Sequence, residues 1–198
     1  MARFDAVAAV SSALMGLLDA AARVDQTQLG GAVTVSVVSP PALAVAVPAN
    51  TRQLAIWLYR VSPNANRRQV TPPPRPNEPK RLPGTAVDLH YLVVARANDA
   101  ITQQRLLGWA IRALEDHPSL PSAVLNNGAF ADCFRGDETV ETTLEPLTGQ
   151  EENDIWQVAQ SARLPSASYL ARMVVLDSRR ELPDGPPVVE RDLDMAGV

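Results

Sequence analysis

The sequence predicts a single α/β domain of the α+β type, in which a mixed, largely antiparallel sheet is flanked by helices. Segments with helical and strand periodicity interleave along the chain, in the order helix, three strands, loop, strand, helix, strand, helix, strand. The connections between them are short, which favours antiparallel neighbours over long crossovers. The 198 residues are 46% hydrophobic and 20% charged, which suffices to bury the core of one domain.

The first element is predicted to be an amphipathic helix. Residues 6–18 are thirteen uncharged residues followed by alanines, a pattern also found in secretory signals. Acidic residues flank this run, however, and thirteen residues are too few to span a membrane. At helical spacing the apolar stripe consists of Phe4, Val7, Leu14, Leu17 and Ala21. We therefore expect a helix that stays on the protein, no signal peptide, no membrane insertion and a cytoplasmic location.

Three strands are predicted next. Residues 30–39 and 43–48 are rich in β-branched side chains and are separated by two prolines, which favours a pair of short strands joined as a hairpin. Residues 52–61 form the third strand, and both of its faces carry apolar residues. The alternation places Leu54, Ile56 and Leu58 on one face, and Trp57 and Tyr59 on the other.

Residues 62–85 are interpreted as a proline-rich basic loop inside the domain. Six of the seventeen prolines lie within residues 71–84, and each removes a backbone donor, so we expect neither helix nor strand there. Apolar strand-like sequence lies on both sides of the loop, which argues against a linker between two domains. The prolines hold the loop semi-extended, with its basic side chains pointing outward: Arg67, Arg68, Arg75, Lys80 and Arg81.

The strand at 86–97 is predicted to be central, because both of its faces are apolar in the second half. A helix follows at 98–118, capped by Asn98 or Asp99 and stopped by Pro118. Its apolar positions are Ile101, Leu107, Ile111 and Leu114.

The last third of the chain is predicted to contain a strand at 138–147, a helix at about 149–162 and a closing strand at 166–177. Thr148 and Glu151 have the spacing of a capping box at the start of that helix. The domain is expected to occupy residues 1–178, and residues 179–198 to form an extended or mobile tail.

A search for catalytic and ligand-binding motifs finds little. The phosphate-binding glycine loops, the zinc-protease motif and the nucleophile elbow are all absent from the sequence. A single cysteine, Cys133, excludes an internal disulfide and is expected to be a buried thiol. Asp88 and His90 share one strand face and are interpreted either as half of an acid–base site or, preferably, as a polar pair at a solvent edge or subunit contact. We predict no cofactor and no metal.

Charge is distributed unevenly along the chain. The basic loop contrasts with an acidic patch, which contains no basic residue between residues 137 and 154. Its candidate interface residues are Asp137, Glu138, Glu141, Glu151, Glu152 and Asp154. The two regions are either separate solvated surfaces or the complementary halves of a head-to-tail interface that closes into a ring. A nucleic-acid role is disfavoured, because the loop has no aromatic residues and the net charge is −4.

Four segments in register resemble the N-terminal-domain family of tail-terminator, or cap, proteins of contractile injection systems, the phage-tail-like particles of bacteria. The resemblance rests on "DLHYL" at 88–92, on "LGWAIRALEDHP" at 107–118, on "LEPLTGQEENDIW" at 144–156, and on Tyr169 with "VVLD" at 174–177. These segments span about ninety residues, nearly half of the chain.

The resemblance implies a non-enzymatic structural protein with a fold like that of phage tail terminators. It further implies a hexameric ring on the baseplate-distal end of the inner tube and sheath, which ends polymerisation and links tube to sheath. An edge strand or the tail at 178–198 is expected to pair with the sheath. The alternatives are another sheath- or baseplate-associated component, an adaptor that presents "PPPRP" to a proline-binding groove, and a small hydrolase.

Overall fold

A single sheet organises the protein, in a computed structural model that describes residues 4–67, 69–70 and 81–181. The helices are α1 (Ala6–Val24), α2 (Pro40–Ala44), α3 (Ala100–Glu115), α4 (Ser122–Leu125) and α5 (Gly149–Ala159), with a 3-10 turn at Gly128–Phe130. The strands are β1 (Thr34–Val37), β2 (Gln53–Pro63), β3 (Gln69–Val70), β4 (Gly84–Arg96), β5 (Ser119–Pro121), β6 (Thr139–Leu144) and β7 (Ser166–Leu176).

The sheet is mixed and largely antiparallel, as the sequence predicts. Its strand order is β1-β2-β4-β7-β6-β5, and β3 pairs with the start of β4. Only the β1–β2 pair is parallel within the described ranges, and every other pair is antiparallel. β4 is therefore central, with β2 on one side and β7 on the other.

The two faces of β4 bury two separate apolar clusters. Leu89, Tyr91 and Val93 point into the larger cluster, which α1 and α3 cover. Leu92 and Val94 point into the smaller one, which α2 and α5 cover. The prediction that this strand is buried on both faces is confirmed, and the alternating faces predicted for β2 divide between the same two clusters.

Helix α1 is amphipathic and packs on the larger cluster. Part of the predicted stripe makes this contact, since Leu14 is buried and Val7 and Leu17 are partly buried against the cluster, but the buried stripe does not include Phe4. Phe4 is 62% exposed, while the fully buried positions include Val10, Leu14 and Leu18. The small residues Ala6, Ala9 and Ala13 let the helix approach the sheet closely, so the contact face is turned toward them. The Ser11 hydroxyl lies 2.9 Å from the buried Tyr91 hydroxyl and fixes the helix on β4.

Among the residues that the structure describes, α1 alone is long and apolar enough to cross a membrane, with nineteen residues and a mean hydropathy of 1.5. The uncharged run of thirteen residues is thus only part of a longer helix, so its length does not argue against a membrane span. Eight of the nineteen residues are buried against the rest of the protein, as expected for the inner face of an amphipathic helix.

The predicted strand at 43–48 is wrong, and with it the hairpin. Pro40 and Pro41 start the short helix α2 after Ser39 instead. Proline is tolerated in the first turn of a helix, because the N–H that it lacks has no partner there. β1 pairs in parallel with β2 through the register Thr34–Gln53 to Val37–Ile56.

Helices α3 and α5 begin where their capping residues predict. The Asp99 side chain accepts a hydrogen bond from the Thr102 N–H, and Thr148 and Glu151 form the complete capping box. One predicted apolar contact of α3 is wrong, because the Ile101 side chain is 72% exposed. The sequence does not predict the short elements β5 and α4, since three or four residues are too few to show a strand or helix periodicity of apolar residues.

The pH dependence of stability tests the Asp99 cap. The Thr102 backbone N–H holds the pKa of the Asp99 carboxyl below its ordinary value. A lowered native pKa stabilises the fold above the unfolded pKa of about 4 and loses that effect as the pH falls further. Asp99→Asn keeps an acceptor but not the charge, so it should be less stable than the wild type at pH 7, with the difference shrinking at pH 3.

Urea unfolding of both proteins at the two pH values measures this. Asn98→Ala is the control, because Asn98 is not the capping residue and its effect should not depend on pH. An Asp99→Asn difference of equal size at both pH values would contradict the role given to the charge.

Candidate assembly interface

The base of the proline-rich loop is more ordered than the sequence predicts. β2 continues to Pro63, and β3 pairs with β4 through Gln69–Thr85 and Val70–Gly84. On the other side, Leu82 N–H donates to the Arg180 carbonyl at 3.0 Å. The expectation that residues 62–85 form no regular structure is therefore wrong at both ends of the segment.

Of the five basic interface candidates, the structure places Arg67 and Arg81, both exposed at this base. Arg68, Arg75 and Lys80 lie outside the described residues. Arg81 forms a β-bridge with Glu181, so the first residues of the predicted tail, 179–181, run beside the base of the loop. The remainder of the tail, 182–198, lies outside the described residues.

Asn64 and Asp88 hold the base together. Asn64 is 6% exposed, and its side-chain oxygen accepts hydrogen bonds from the backbone N–H groups of Asn66 at 3.1 Å and Arg67 at 2.8 Å. Its amide nitrogen donates to the Asp88 carboxylate at 2.9 Å, and the same carboxylate accepts from Met173 N–H at 2.8 Å. Met173 has a φ of 56° at an irregularity of β7. One carboxylate thus joins β2, β4 and β7 where the loop leaves the sheet.

His90 is the centre of a second polar cluster on the same sheet face. One ring nitrogen lies 2.8 Å from the Ser62 hydroxyl, and the other lies 2.8 Å from the Glu145 carboxylate. The Tyr59 hydroxyl lies 3.1 Å from Ser168 and donates to Glu145 at 3.4 Å. Burial raises the pKa of Tyr59, so this hydroxyl remains a donor.

The predicted pairing of Asp88 with His90 is not formed. Both lie on one face, but Asp88 binds Asn64 and Met173, and the acidic partner of His90 is Glu145. His90 is 3% exposed, so it does not lie at a solvent edge. The arrangement joins β2, β4 and the residue after β6, and we interpret it as a structural link across the sheet.

The six acidic interface candidates fall into two groups. Asp137, Glu138 and Glu141 lie at the start of β6, where Glu141 is opposite Arg172 in the β6–β7 register. Glu151, Glu152 and Asp154 lie in the first half of α5.

Several of these acids have local partners. Glu151 closes the capping box, Glu152 pairs with Arg163, and Asp154 accepts from Gln150 at 2.8 Å. Glu138 accepts from the Arg135 N–H at 2.9 Å. Asp137 and Glu141 are the exposed members of the group at the start of β6.

The sheet also presents an open edge. β1 is paired with β2 only as far as Ile56, and within the described ranges no strand covers the outer side of β2 from Leu58 to Pro63. Beside it runs a groove of about 820 Å³, lined by Phe4, Val37 and Leu58 among others. Phe4 is 62% and Val37 44% exposed, and the Arg179 guanidinium lies 4.6 Å above the Phe4 ring. An open strand edge beside an apolar groove is a surface to which another strand can add.

Sequence reasoning missed Asn64, Ser62 and Glu145. The Asn64 turn is readable in principle, because "SPNAN" contains residues that bond their own backbone two or three positions on. Ser62 and Glu145 are not, because they meet His90 through strand pairings that cross 28 and 55 residues.

Comparison with solved structures shows which known fold the protein shares. The fold is that of a sheath/tube terminator of an extracellular contractile injection system, with a TM-score of 0.59 and 14% sequence identity over 96% of this chain and 63% of that chain. The tube-terminating cap of the anti-feeding prophage also matches, with a TM-score of 0.46 and 13% identity over 76% of this chain and 55% of that chain. This chain thus spans less than two thirds of the length of either protein.

The family follows from the sequence. Residues 9–190 match the model of the Pvc16 N-terminal domain, so the chain belongs to that family. Comparison with curated proteins finds no significant match. The resemblance drawn from the four segments is thereby confirmed, and so is the predicted fold class.

Removal of the Asp88 carboxylate tests whether it holds the base of the loop. Asp88→Ala leaves the Asn64 amide and the Met173 N–H without their acceptor, which should lower the free energy of unfolding by about 1–3 kcal/mol. Amide hydrogen exchange at residues 64–67 should also accelerate, because the turn loses its anchor.

Thr85→Ala is the matched control, since Thr85 is exposed on the same strand, and it should change stability by no more than about 0.5 kcal/mol. If the amide hydrogens of residues 64–67 exchanged at wild-type rates in the Asp88→Ala variant, Asp88 would not anchor the turn.

Proposed function

We propose that this protein is a non-enzymatic cap subunit of a contractile injection particle. It forms a ring on the baseplate-distal end of the inner tube and sheath, ends their polymerisation and links one to the other, and it is assembled in the cytoplasm. The observation that carries the proposal is the terminator fold over 96% of the chain, together with membership of the Pvc16 N-terminal domain family.

A terminator has a defined physical task. A growing tube or sheath presents an unfinished interface at its end, and the terminator must match that interface without repeating it on its other side. The open side of β2 meets the first requirement, because it offers backbone donors and acceptors to an incoming strand. The brevity of β1, four residues beside the eleven of β2, leaves the second half of that side without a paired strand in the described part of the chain.

The outward-facing groups of β2 follow from its pairing. Asn64 N–H donates to the Ala86 carbonyl on β4, so Ser62 faces β4 and Val61 and Pro63 face outward. Val61 N–H is therefore available to a partner, while Pro63 has no N–H and limits how far the added strand extends. The Val61 side chain is 49% exposed, as expected of a position that a partner covers.

The ring is proposed to form head to tail. The loop base with Arg67 and Arg81 carries positive charge, and the start of β6 with Asp137, Glu138 and Glu141 carries negative charge. Two different surfaces of opposite sign on one subunit suit a heterologous contact, which closes into a ring when the rotation between subunits allows.

Solution mass and charge reversal test the ring. In light scattering the free wild-type protein should approach six times 21.3 kDa. Replacement of Arg75, Lys80 and Arg81 by Glu should abolish the ring, because the acidic surface of the neighbour then repels the loop. Replacement of Arg23, Arg105 and Arg112, which are exposed on α1 and α3, is the control of equal charge change. A ring that survives the loop reversal would overturn the head-to-tail arrangement.

A substitution at the β2 edge tests sheath or tube docking. Val61→Pro removes the N–H that faces away from β4, while the adjacent residues of β2 keep their hydrogen bonds to β4. The variant should therefore fold but fail to bind the particle. Val61→Thr is the matched control, because it keeps the N–H and the β-branched shape.

Both variants are expressed in a strain from which the wild-type gene is deleted, and the particles are scored by electron microscopy. Val61→Thr should restore tails of uniform length, and Val61→Pro should leave tails of uncontrolled length or without sheath. If Val61→Pro restored tails of uniform length and a chain that lacks residues 182–198 did not, the docking surface would be the C-terminal tail and not β2.

A further inference from the structure

A second cleft lies at the opposite end of the sheet from the proline-rich loop. It has a volume of about 430 Å³ and opens between the segment after α2, the end of β4 and the end of α5. Arg96, the last residue of β4, lines it. This cleft shares no lining residue with the groove beside β2.

Arg96 is an unusual residue to find there, because it is only 6% exposed. One terminal nitrogen donates to the Gln53 side-chain oxygen at 2.8 Å, and the other donates to the Val45 carbonyl. Its Nε is buried and has no hydrogen-bond partner. Burial also lowers the pKa of the guanidinium.

Arg96 is bound only by neutral groups, and none of the carboxylates that the structure describes pairs with it. Asp99 is the nearest acid along the chain, but its carboxylate accepts the Thr102 N–H at 2.8 Å and interacts with Arg52. A buried cation without an anion is costly, and natural proteins seldom keep one without a counter-ion.

The rest of the cleft has the character of a site for a small anion on an apolar stem. Asn98, Gln103, Gln160 and Ser161 supply neutral polar groups. Leu43, Val47 and Leu164 supply apolar wall. A single guanidinium balances one negative charge, and its planar fork matches the two oxygens of a carboxylate.

We propose that the Arg96 cleft binds a carboxylate on a short aliphatic stem, with the Arg96 guanidinium as its counter-ion. The carboxylate comes either from a free small acid or from the C-terminus of a polypeptide, and the two share this chemistry. The site is independent of the capping function, since it uses neither the loop base nor the β2 edge.

Gln53→Glu provides a sharp test, because Gln53 already touches Arg96. The change replaces the Gln53 amide by a carboxylate of nearly the same shape. This carboxylate supplies a counter-ion to Arg96 from inside the protein, and Arg96 itself is unchanged. The variant should therefore fold at least as stably as the wild type but bind external carboxylates at least about tenfold more weakly. Arg96→Gln should lose binding as well, and its fold is checked by circular dichroism.

Binding is measured by NMR titration of the full chain with propionate, with N-acetylalanine as the polypeptide C-terminus, and with propionamide as the neutral control. Saturable shifts at Ala97, Asn98 and Ser161 with either acid, none with propionamide, and their loss in Gln53→Glu would support the proposal. Tighter binding of N-acetylalanine identifies a polypeptide source, and tighter binding of propionate a free acid. No saturation with either acid, or equal binding by Gln53→Glu, would overturn it.

Discussion

The burial of β4 on both faces is the constraint on which the rest of the structure depends. A strand in that position must be covered twice, so helices are required above and below it, and α1 with α3 and α2 with α5 provide them. It must also be paired on both sides, which fixes β2 and β7 as its neighbours. The surfaces of the protein follow from this arrangement: the loop leaves at one end of β4, and the Arg96 cleft lies at the other.

Polar residues on β4 appear where the helices no longer cover it. Leu92 and Val94 lie under α2 and α5, whereas His90 and Asp88 on the same face lie beyond them and need other partners. Those partners are side chains from β2, from β7 and from the residue after β6. Removal of either polar residue would leave its hydrogen-bonding partners without a bond, which costs more than the bond itself gains. On this face of the sheet, the part of β4 near the loop is thus held by hydrogen bonds, and the part under α2 and α5 by apolar packing.

Much of the fold is predictable from the sequence, because β4, β7, α3 and α5 are long enough to show a period and carry caps such as Thr148 and Glu151. The segment at 43–48 misled the prediction, since β-branched composition outweighed the helix-starting meaning of Pro40 and Pro41. From the sequence, the candidate interface could be predicted only as two regions of opposite charge. Which charged residues lie near one another in space depends on the pairing of the strands. His90 with Glu145, and Arg96 with Gln53, depend on a register between strands distant in sequence, which no local pattern specifies.

The β4–β7 ladder has a consequence for how the subunit is made. It joins Thr85 to Leu176 and Val94 to Ser166. The central strand therefore lacks one of its two neighbours until residues 166–176 have left the ribosome. Before that moment one side of the central strand is unpaired, and such an edge can pair with another polypeptide chain and cause aggregation. A chain that stops short of β7 is therefore expected to be a substrate for chaperones and proteases and not a defective subunit. The pairing of the central strand is therefore completed only when β7 has been synthesised.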